Sequence, residues 1–208
     1  MNKAIKLENI NITINNLTKA YSKDKGVFDL NLSLNSGGIN LLIGKNGSGK
    51  STLLKCIMKL INYSGNIVKK RWRIGYAPEY YIMPDFFTVE EFLYNIGRIK
   101  GLGKAAYHDQ SIDLLRMFNL ESYRHKQIRS LSNGMKQKVN ILQALIHDPK
   151  IIILDEPLIA LDSESQKNLL SYLHDKAKTR LVIISTHSPE KFKYKSRNII
   201  EIVNGRIQ

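Results

Sequence analysis

Apolar and polar side chains alternate at Ile10, Ile12 and Ile14 and again at Phe28, Leu30, Leu32 and Leu34. A period of two predicts half-buried strands, so the chain opens with an antiparallel β layer. The apolar run Ile39 to Ile43 then leads into a glycine-rich stretch, Gly44 to Thr52, after which Leu53, Leu54, Ile57, Met58 and Ile61 recur at helical spacing. That order predicts strand, loop, helix. From about residue 85 the pattern is helical. Thr88 and Glu91 form a capping box ahead of Phe92, Leu93 and Ile96, and Ile112 to Phe118 makes a second apolar-faced segment. Ser132 precedes a third, with Val139, Leu142, Leu145 and Ile146, which Asp148-Pro149 ends. Ile151 to Leu154 and Leu181 to Ile184 are short and wholly apolar, as strands buried on both faces are. Between them Asp162 caps a helix through about Lys176, and Asn204-Gly205 marks a hairpin within Ile199 to Ile207. Apolar strands alternating with helices predict an α/β fold whose parallel sheet is covered on both faces. The stretch from about 85 to 147 reads as a helical subdomain inserted into it.

Composition narrows the class. The 208 residues are 43% hydrophobic and 24% charged, as expected for one soluble domain spanning 1–208. No apolar run exceeds about four residues, far short of the ~20 that a membrane helix needs. The start, Met1-Asn2-Lys3, is basic but is not followed by the apolar stretch of a secretory signal, so a cytoplasmic location is expected. The lone Cys56 permits no internal disulfide and reads as a small core residue. The net charge of +14 attracts anions: nucleotides, nucleic acid or the anionic inner face of a membrane. Solubility alone would also account for basic residues spread along the chain. The densest clusters, Lys69 to Arg73 and Lys191 to Arg197, are short and mixed with aromatics.

The glycine-rich stretch carries the chemistry. Gly44, Gly49, Lys50 and Ser51 satisfy the P-loop pattern, with Lys45, Asn46, Gly47 and Ser48 between the glycines and Thr52 after them. It lies where its physics requires, between a strand and a helix. Glycines let backbone N–H groups turn toward phosphates, and the helix presents its positive end to them. Lys50 adds a point charge at the β and γ phosphates, and Ser51 offers its hydroxyl to Mg²⁺. The ligand class is ATP or GTP with Mg²⁺.

Asp155 and Glu156 follow the apolar strand Ile151 to Leu154, at its carboxyl end, where open α/β sheets place their ligand crevice. Asp155 is expected to hold the Mg²⁺ shell through water, and Glu156 to polarise the attacking water as a general base. The alternative is a capping pair before Pro157.

Together these residues resemble the ATP-binding cassette family over nearly the whole chain. The resemblance implies a P-loop NTPase core with a parallel sheet, an N-terminal antiparallel β subdomain and an inserted α-helical signature subdomain. Leu131-Ser132-Asn133-Gly134-Met135 is similar to the family signature, with Asn133 in place of glycine and Met135 in place of glutamine. The resemblance implies that Ser132, Asn133, Gly134 and Met135 act in trans. Two cassettes would sandwich two ATP molecules head to tail, the positive start of the signature helix closing the partner's site. Ala160-Leu161-Asp162 resembles the loop through which the subunits communicate. His187, after Ser185-Thr186, resembles the switch histidine that contacts the γ-phosphate. Tyr21 resembles the aromatic that stacks on adenine, and a packed core tyrosine is the alternative. One position departs from the pattern. In Ile74-Gly75-Tyr76-Ala77-Pro78-Glu79 the chain has Glu79 where the family usually has glutamine. That carboxylate either binds Mg²⁺ directly or turns away from the phosphates.

The full motif set implies a working Mg²⁺-dependent ATPase. The function expected from the resemblance is the energising subunit of a transporter, peripheral on the inner face of the membrane through a separate transmembrane permease and paired with a second cassette. The stretch Ser132 to Gln137 is more similar to bacterial export-type cassettes than to importers, and the basic surface would be attracted to anionic lipid. The competing expectation is a soluble ATPase of the same superfamily acting on nucleic acid or in cofactor assembly. Against nucleic acid, the interval from P-loop to signature is only about eighty residues and lacks the sustained heptads of a long coiled coil. No specific nucleic acid is expected.

Overall fold

The computed structural model describes residues 9–194 and 196–208; the basic start Met1-Asn2-Lys3 lies outside the described residues. Strands β1 (Asn11–Ala20) and β2 (Gly26–Asn35) form the expected antiparallel pair. A third strand, β4 (Ser64–Val68), adds to the other edge of β1. This strand escapes the hydrophobic pattern because only Ile67 of Ser-Gly-Asn-Ile-Val is buried.

The second sheet has six strands in the order β5 (Ile74–Ala77), β6 (Ile151–Asp155), β7 (Leu181–Thr186), β3 (Ile39–Ile43), β8 (Arg197–Val203) and β9 (Arg206–Ile207). All neighbours are parallel except the terminal β8–β9 hairpin that turns at Asn204-Gly205. The continuous apolar runs have a direct explanation in this sheet. Ile152, Leu154, Val182 and Ile184 face one core, which the helices cover. Ile151, Ile153, Leu181 and Ile183 face the other, shared with the antiparallel sheet. Each strand is apolar at every position because each face has its own cover.

Helix α1 (Lys50–Ile57) follows the P-loop and stops before Ile61, four residues earlier than the apolar spacing suggests. Lys59 takes a left-handed φ of 57°, and Leu60 N–H donates to Lys55 C=O, a closing turn that ends the helix. Cys56 is buried on it, as expected. Between β5 and β6 lie α2 (Val89–Ile99), α3 (Lys104–Met117) and α4 (Asn133–Leu145). The capping box is present at α2: Glu91 N–H donates to Thr88 Oγ1 at 3.1 Å, and Thr88 N–H donates back to Glu91 Oε2 at 2.8 Å. The apolar-faced segment at Ile112 is the second half of α3, which begins at Lys104. Ser132 caps α4, and Asp162 caps α5 (Ser163–Ala177).

Candidate functional site

Four parallel strands deliver their carboxyl ends to one rim of the sheet. β3 runs into the P-loop, β6 into Glu156, β7 into His187 and β5 toward Glu79. In-register pairing of Ile43 with Thr186 and of Asp155 with Ser185 sets these ends side by side. A cleft of about 260 Å³ opens there. The P-loop lines one wall through Asn46, Gly47, Ser48, Gly49, Lys50, Ser51 and Thr52, and Glu79 and Glu156 line the opposite wall. Gly44 lies behind the loop, outside this cleft.

The glycines are required by geometry. Gly44 has φ 149°, and a Cβ there would sit 2.3 Å from the Ile202 carbonyl oxygen. Gly49 has φ 113°, with Val27 Cγ1 2.7 Å from the place of a Cβ. It starts α1 without a side-chain cap, so no side chain occupies the first-turn N–H groups. Lys50 Nζ donates to the carbonyls of Gly44, at 2.7 Å, and Lys45, at 3.2 Å, which hold the ammonium at the base of the loop.

Glu156 is the electrostatic centre. It is buried and sits in the left-handed region at φ 48°, a conformation a non-glycine residue holds at a cost of roughly 1–3 kcal/mol. Its Oε1 lies 3.9 Å from Lys50 Nζ, and its Oε2 lies 3.0 Å from Nδ1 of the half-exposed His187. Its backbone N–H donates to Ser185 C=O at 3.1 Å and Ser185 Oγ at 3.2 Å. The same Ser185 hydroxyl donates to Asp155 Oδ1. Ser185 therefore clamps both acids. Sequence reasoning passed over it, naming it only as the approach to His187. The positive φ and buried setting of Glu156 differ from a helix-capping pair, since the next helix is capped by Asp162.

Burial raises the Glu79 carboxyl above its ordinary value, and the Asp155 and Glu156 carboxylates push it further the same way. Glu79 and Glu156 thus line the cleft with the Ser51 hydroxyl, and the buried Asp155 carboxylate lies behind them, close enough to act on Glu79; these are hard oxygen donors of the kind that suits Mg²⁺. Among the described residues no group of three His, Cys, Asp or Glu side chains forms a self-sufficient metal cage. The buried Glu156 Oε1, on a residue lining the cleft, has no hydrogen-bond partner, as a site built for a polar ligand leaves it.

Tyr21 is no core residue: it is 52% exposed, lines the cleft, and has Lys19 Nζ 5.1 Å from its ring centroid. Lys25, Gly26 and Tyr80 line the cleft beside it and were not anticipated. Ser132, Asn133, Gly134 and Met135 lie elsewhere, at the start of α4 and outside the residues lining the cleft; Ser132 and Asn133 are exposed. Gly134 packs against Ala160, whose carbonyl oxygen is 2.6 Å from where a Cβ would stand. Asp162 accepts from Ser165 N–H at 2.8 Å and from Lys138 Nζ at 2.7 Å, and these contacts hold its carboxyl well below the usual carboxylate range. The chain thus joins its signature helix to the Ala160–Asp162 loop.

Helix α4 also reaches back to the cleft. Asn140 Nδ2 donates to Pro78 C=O at 2.8 Å, Gln143 Nε2 to Tyr76 C=O at 2.6 Å, and Gln137 Nε2 to Pro157 C=O at 3.4 Å. The only sequence signal was a polar stripe at i, i+3 and i+6 on an otherwise apolar face.

The ABC transporter family profile matches residues 27–159. The chain is 32% identical over 203 residues to the uncharacterized ABC transporter ATP-binding protein YxlF of Bacillus subtilis (strain 168), covering 94% of this chain and 69% of that one. It is 32% identical over 213 residues to ATP-binding cassette sub-family A member 17 of Mus musculus, covering 95% of this chain but only 12% of that protein. A solved ATP-binding subunit of an ABC transporter superposes with TM-score 0.86 at 30% identity, over 94% of this chain and 87% of that one. A dimeric bacterial ABC transporter cassette shares the fold at TM-score 0.85 and 24% identity, over 95% and 96% of the two chains. By these likenesses the chain belongs to the ABC transporter family, as an ATP-binding cassette of the ATPase type.

Proposed function

We propose that this chain hydrolyses ATP to drive transport by a separate transmembrane partner, through ATP-dependent head-to-tail association of two cassettes. The observation that carries the reading is Glu156: a buried carboxylate held between Lys50 and His187, opening on the P-loop cleft. In this reading Glu156 polarises the attacking water, and the His187 ring in its imidazolium form donates from Nδ1 to the carboxylate, which it orients, and from Nε2 to charge developing on the γ-phosphoryl group. Lys50 and the backbone N–H groups of residues 46–52 hold the phosphates. Ser51, Asp155 and Glu79 would hold Mg²⁺, which when bound neutralises phosphate charge. Tyr21 would stack on the base.

The signature residues do not line their own cleft; in this reading Ser132 to Met135 of a second cassette complete the site, with Asp162 at the junction. The docking surface for the membrane partner is assigned to the helical insert and the Glu79 loop. There Tyr80, Ile82 and Phe86 are exposed, an apolar patch of the kind that marks an interaction site. No helix among the described residues is long and apolar enough to cross a membrane; in this reading the spans belong to the partner. The direction assigned is export, on the resemblance of Ser132 to Gln137 to export-type cassettes, with the chain on the cytoplasmic face of the membrane. All 208 residues are taken as one domain, the helices between about 85 and 147 forming its signature subdomain.

Glu156→Gln tests the reading. Expected are retained ATP binding, an ATP-dependent dimer by light scattering, and turnover reduced by at least about a hundredfold, as loss of a general base gives. Unchanged turnover would remove Glu156 from the chemistry.

A further inference from the structure

Between Asp29 and Glu79 the chain carries no acidic side chain. The fold gathers the basic residues of this interval at one end. Helix α1 leads away from the cleft for eight residues, about 12 Å at 1.5 Å each, and β5 leads toward it. The last turn of α1 and the segment before β5 therefore lie at the end of the core remote from the P-loop. These two segments carry Lys55, Lys59, Lys69, Lys70, Arg71 and Arg73, of which Lys55, Lys59, Lys70, Arg71 and Arg73 are exposed. Burial, and after it the charge of nearby Lys59, lowers the proton affinity of Lys69. Among the described residues, Lys55, Lys59, Lys69, Arg71 and Arg73 form no ion pair with a carboxylate, whereas Lys136, Lys138, Lys176 and Lys178 each do.

Apolar surface is interleaved with this charge. Leu60 is 59% exposed and Val68 54% exposed. Trp72 packs its inner edge on the core shared with the antiparallel sheet, while Lys70 Nζ stands 5.7 Å from its ring centroid. One flank of the indole faces the core and a cation holds the ring, so Trp72 offers no open platform for a stacked base, the feature single-stranded nucleic acid uses. Aliphatic side chains projecting between lysines and arginines match the headgroup zone of a bilayer, where cations meet lipid phosphates and short apolar groups enter the acyl boundary.

We propose that this strip, from Lys55 through Leu60 and from Val68 to Arg73, is a docking surface for the anionic headgroups of a lipid bilayer. It adds a lipid contact made by the chain itself to the transporter reading and does not depend on nucleotide, since the strip lies away from the cleft.

The test is flotation of the purified 208-residue chain with vesicles of phosphatidylcholine alone and of phosphatidylcholine mixed in equal parts with phosphatidylglycerol, at low and high salt. Expected is binding to the mixed vesicles only, abolished at about 1 M salt, where the Debye length falls to about 3 Å. The triple variant Lys69→Ala, Arg71→Ala, Arg73→Ala should bind at least tenfold more weakly. A control removing the same charge from exposed positions elsewhere, Lys104→Ala, Lys167→Ala, Lys193→Ala, should bind within twofold of the parent. Leu60→Ser alone should weaken binding measurably. All variants should keep the parent's thermal midpoint and ATPase rate. Equal weakening by the control triple would assign binding to net charge and overturn the proposal. So would parent-like binding by the first triple, binding to neutral vesicles, or displacement by a duplex oligonucleotide at lower concentration than by anionic lipid. None of these outcomes touches the ATPase reading, which the Glu156→Gln experiment decides separately.

Discussion

Glu79 stands where a carboxamide would serve the same reach without charge. Its carboxyl is raised by burial and by Asp155 and Glu156, so a bound divalent cation has more repulsion to relieve here than with glutamine. Glu79→Gln is therefore expected to alter the divalent-ion concentration needed for half-maximal ATPase rate and to raise turnover; superimposable metal titrations would rule out a metal role. His147 makes a separate, structural case. It is fully buried, its Nδ1 has no partner, and its Nε2 lies 3.3 Å from Ile74 C=O. Burial, with Lys100 and Arg73 nearby, pushes its pKa down to about 4. The folded chain holds it neutral while the unfolded chain protonates near 6.5, so the unfolded state binds the extra proton between these values. Stability from this group is complete above pH 6.5 and is lost as pH falls toward 4, by up to about 3 kcal/mol. Urea unfolding at pH 7 and 4.5 should show a smaller acid loss for His147→Gln than for the parent. Equal losses would assign the acid sensitivity to other groups.

At the scale of elements, β5 and α4 are the coupled pair. Gly75 on β5 is pressed against the end of α4: a Cβ would stand 1.8 Å from Ala144 C=O, in a contact no rotamer change relieves. Gly75→Ala should destabilise by about 2 kcal/mol or more. It should also depress turnover, because β5 leads to Glu79 and α4 holds the Pro78 and Tyr76 carbonyls. A thermal midpoint within 2 °C of the parent would contradict this packing. Thr88→Ala is the milder counterpart. Loss of the capping box costs about 1 kcal/mol, or about 2–4 °C for a chain of this size, with turnover unchanged, read from thermal melts beside ATPase rates. The capping box was legible in the sequence because all its atoms come from four adjacent residues. The α4 stripe was not, because Gln137, Asn140 and Gln143 find partners 20, 62 and 67 residues away.

At the scale of the whole molecule, the cleft and the signature occupy different surfaces of one chain. A site assembled from two chains makes two outcomes follow. ATPase rate should rise more than linearly with protein concentration, whereas a strictly linear rise from nanomolar upward would mean a stable dimer or a complete site in one chain. Mixing Lys50→Ala with Ser132→Arg, each inactive alone, should restore part of the activity, because one of the two mixed sites then has an intact loop and an intact signature. No recovery over the separate variants would count against the head-to-tail arrangement.

The sequence by itself determined the chemistry that depends on contiguous backbone. The glycines, Lys50 and Ser51 must follow one another for the loop to turn into a helix, and the acids must end an apolar strand to reach the rim. It also determined the α/β class, because both-face burial of a parallel strand demands apolar residues at every position. Tertiary structure alone decided which atoms meet. Ser185 reaches Asp155 across 30 residues, and Lys50 at the start of α1 and His187 just after β7 converge on opposite oxygens of Glu156. Strand register sets these meetings, and a shift of one residue would turn each side chain to the opposite face. The gathering of Lys59 with Lys69 is of the same kind: the sequence spaces them ten residues apart, and the turn after α1 folds them onto one surface.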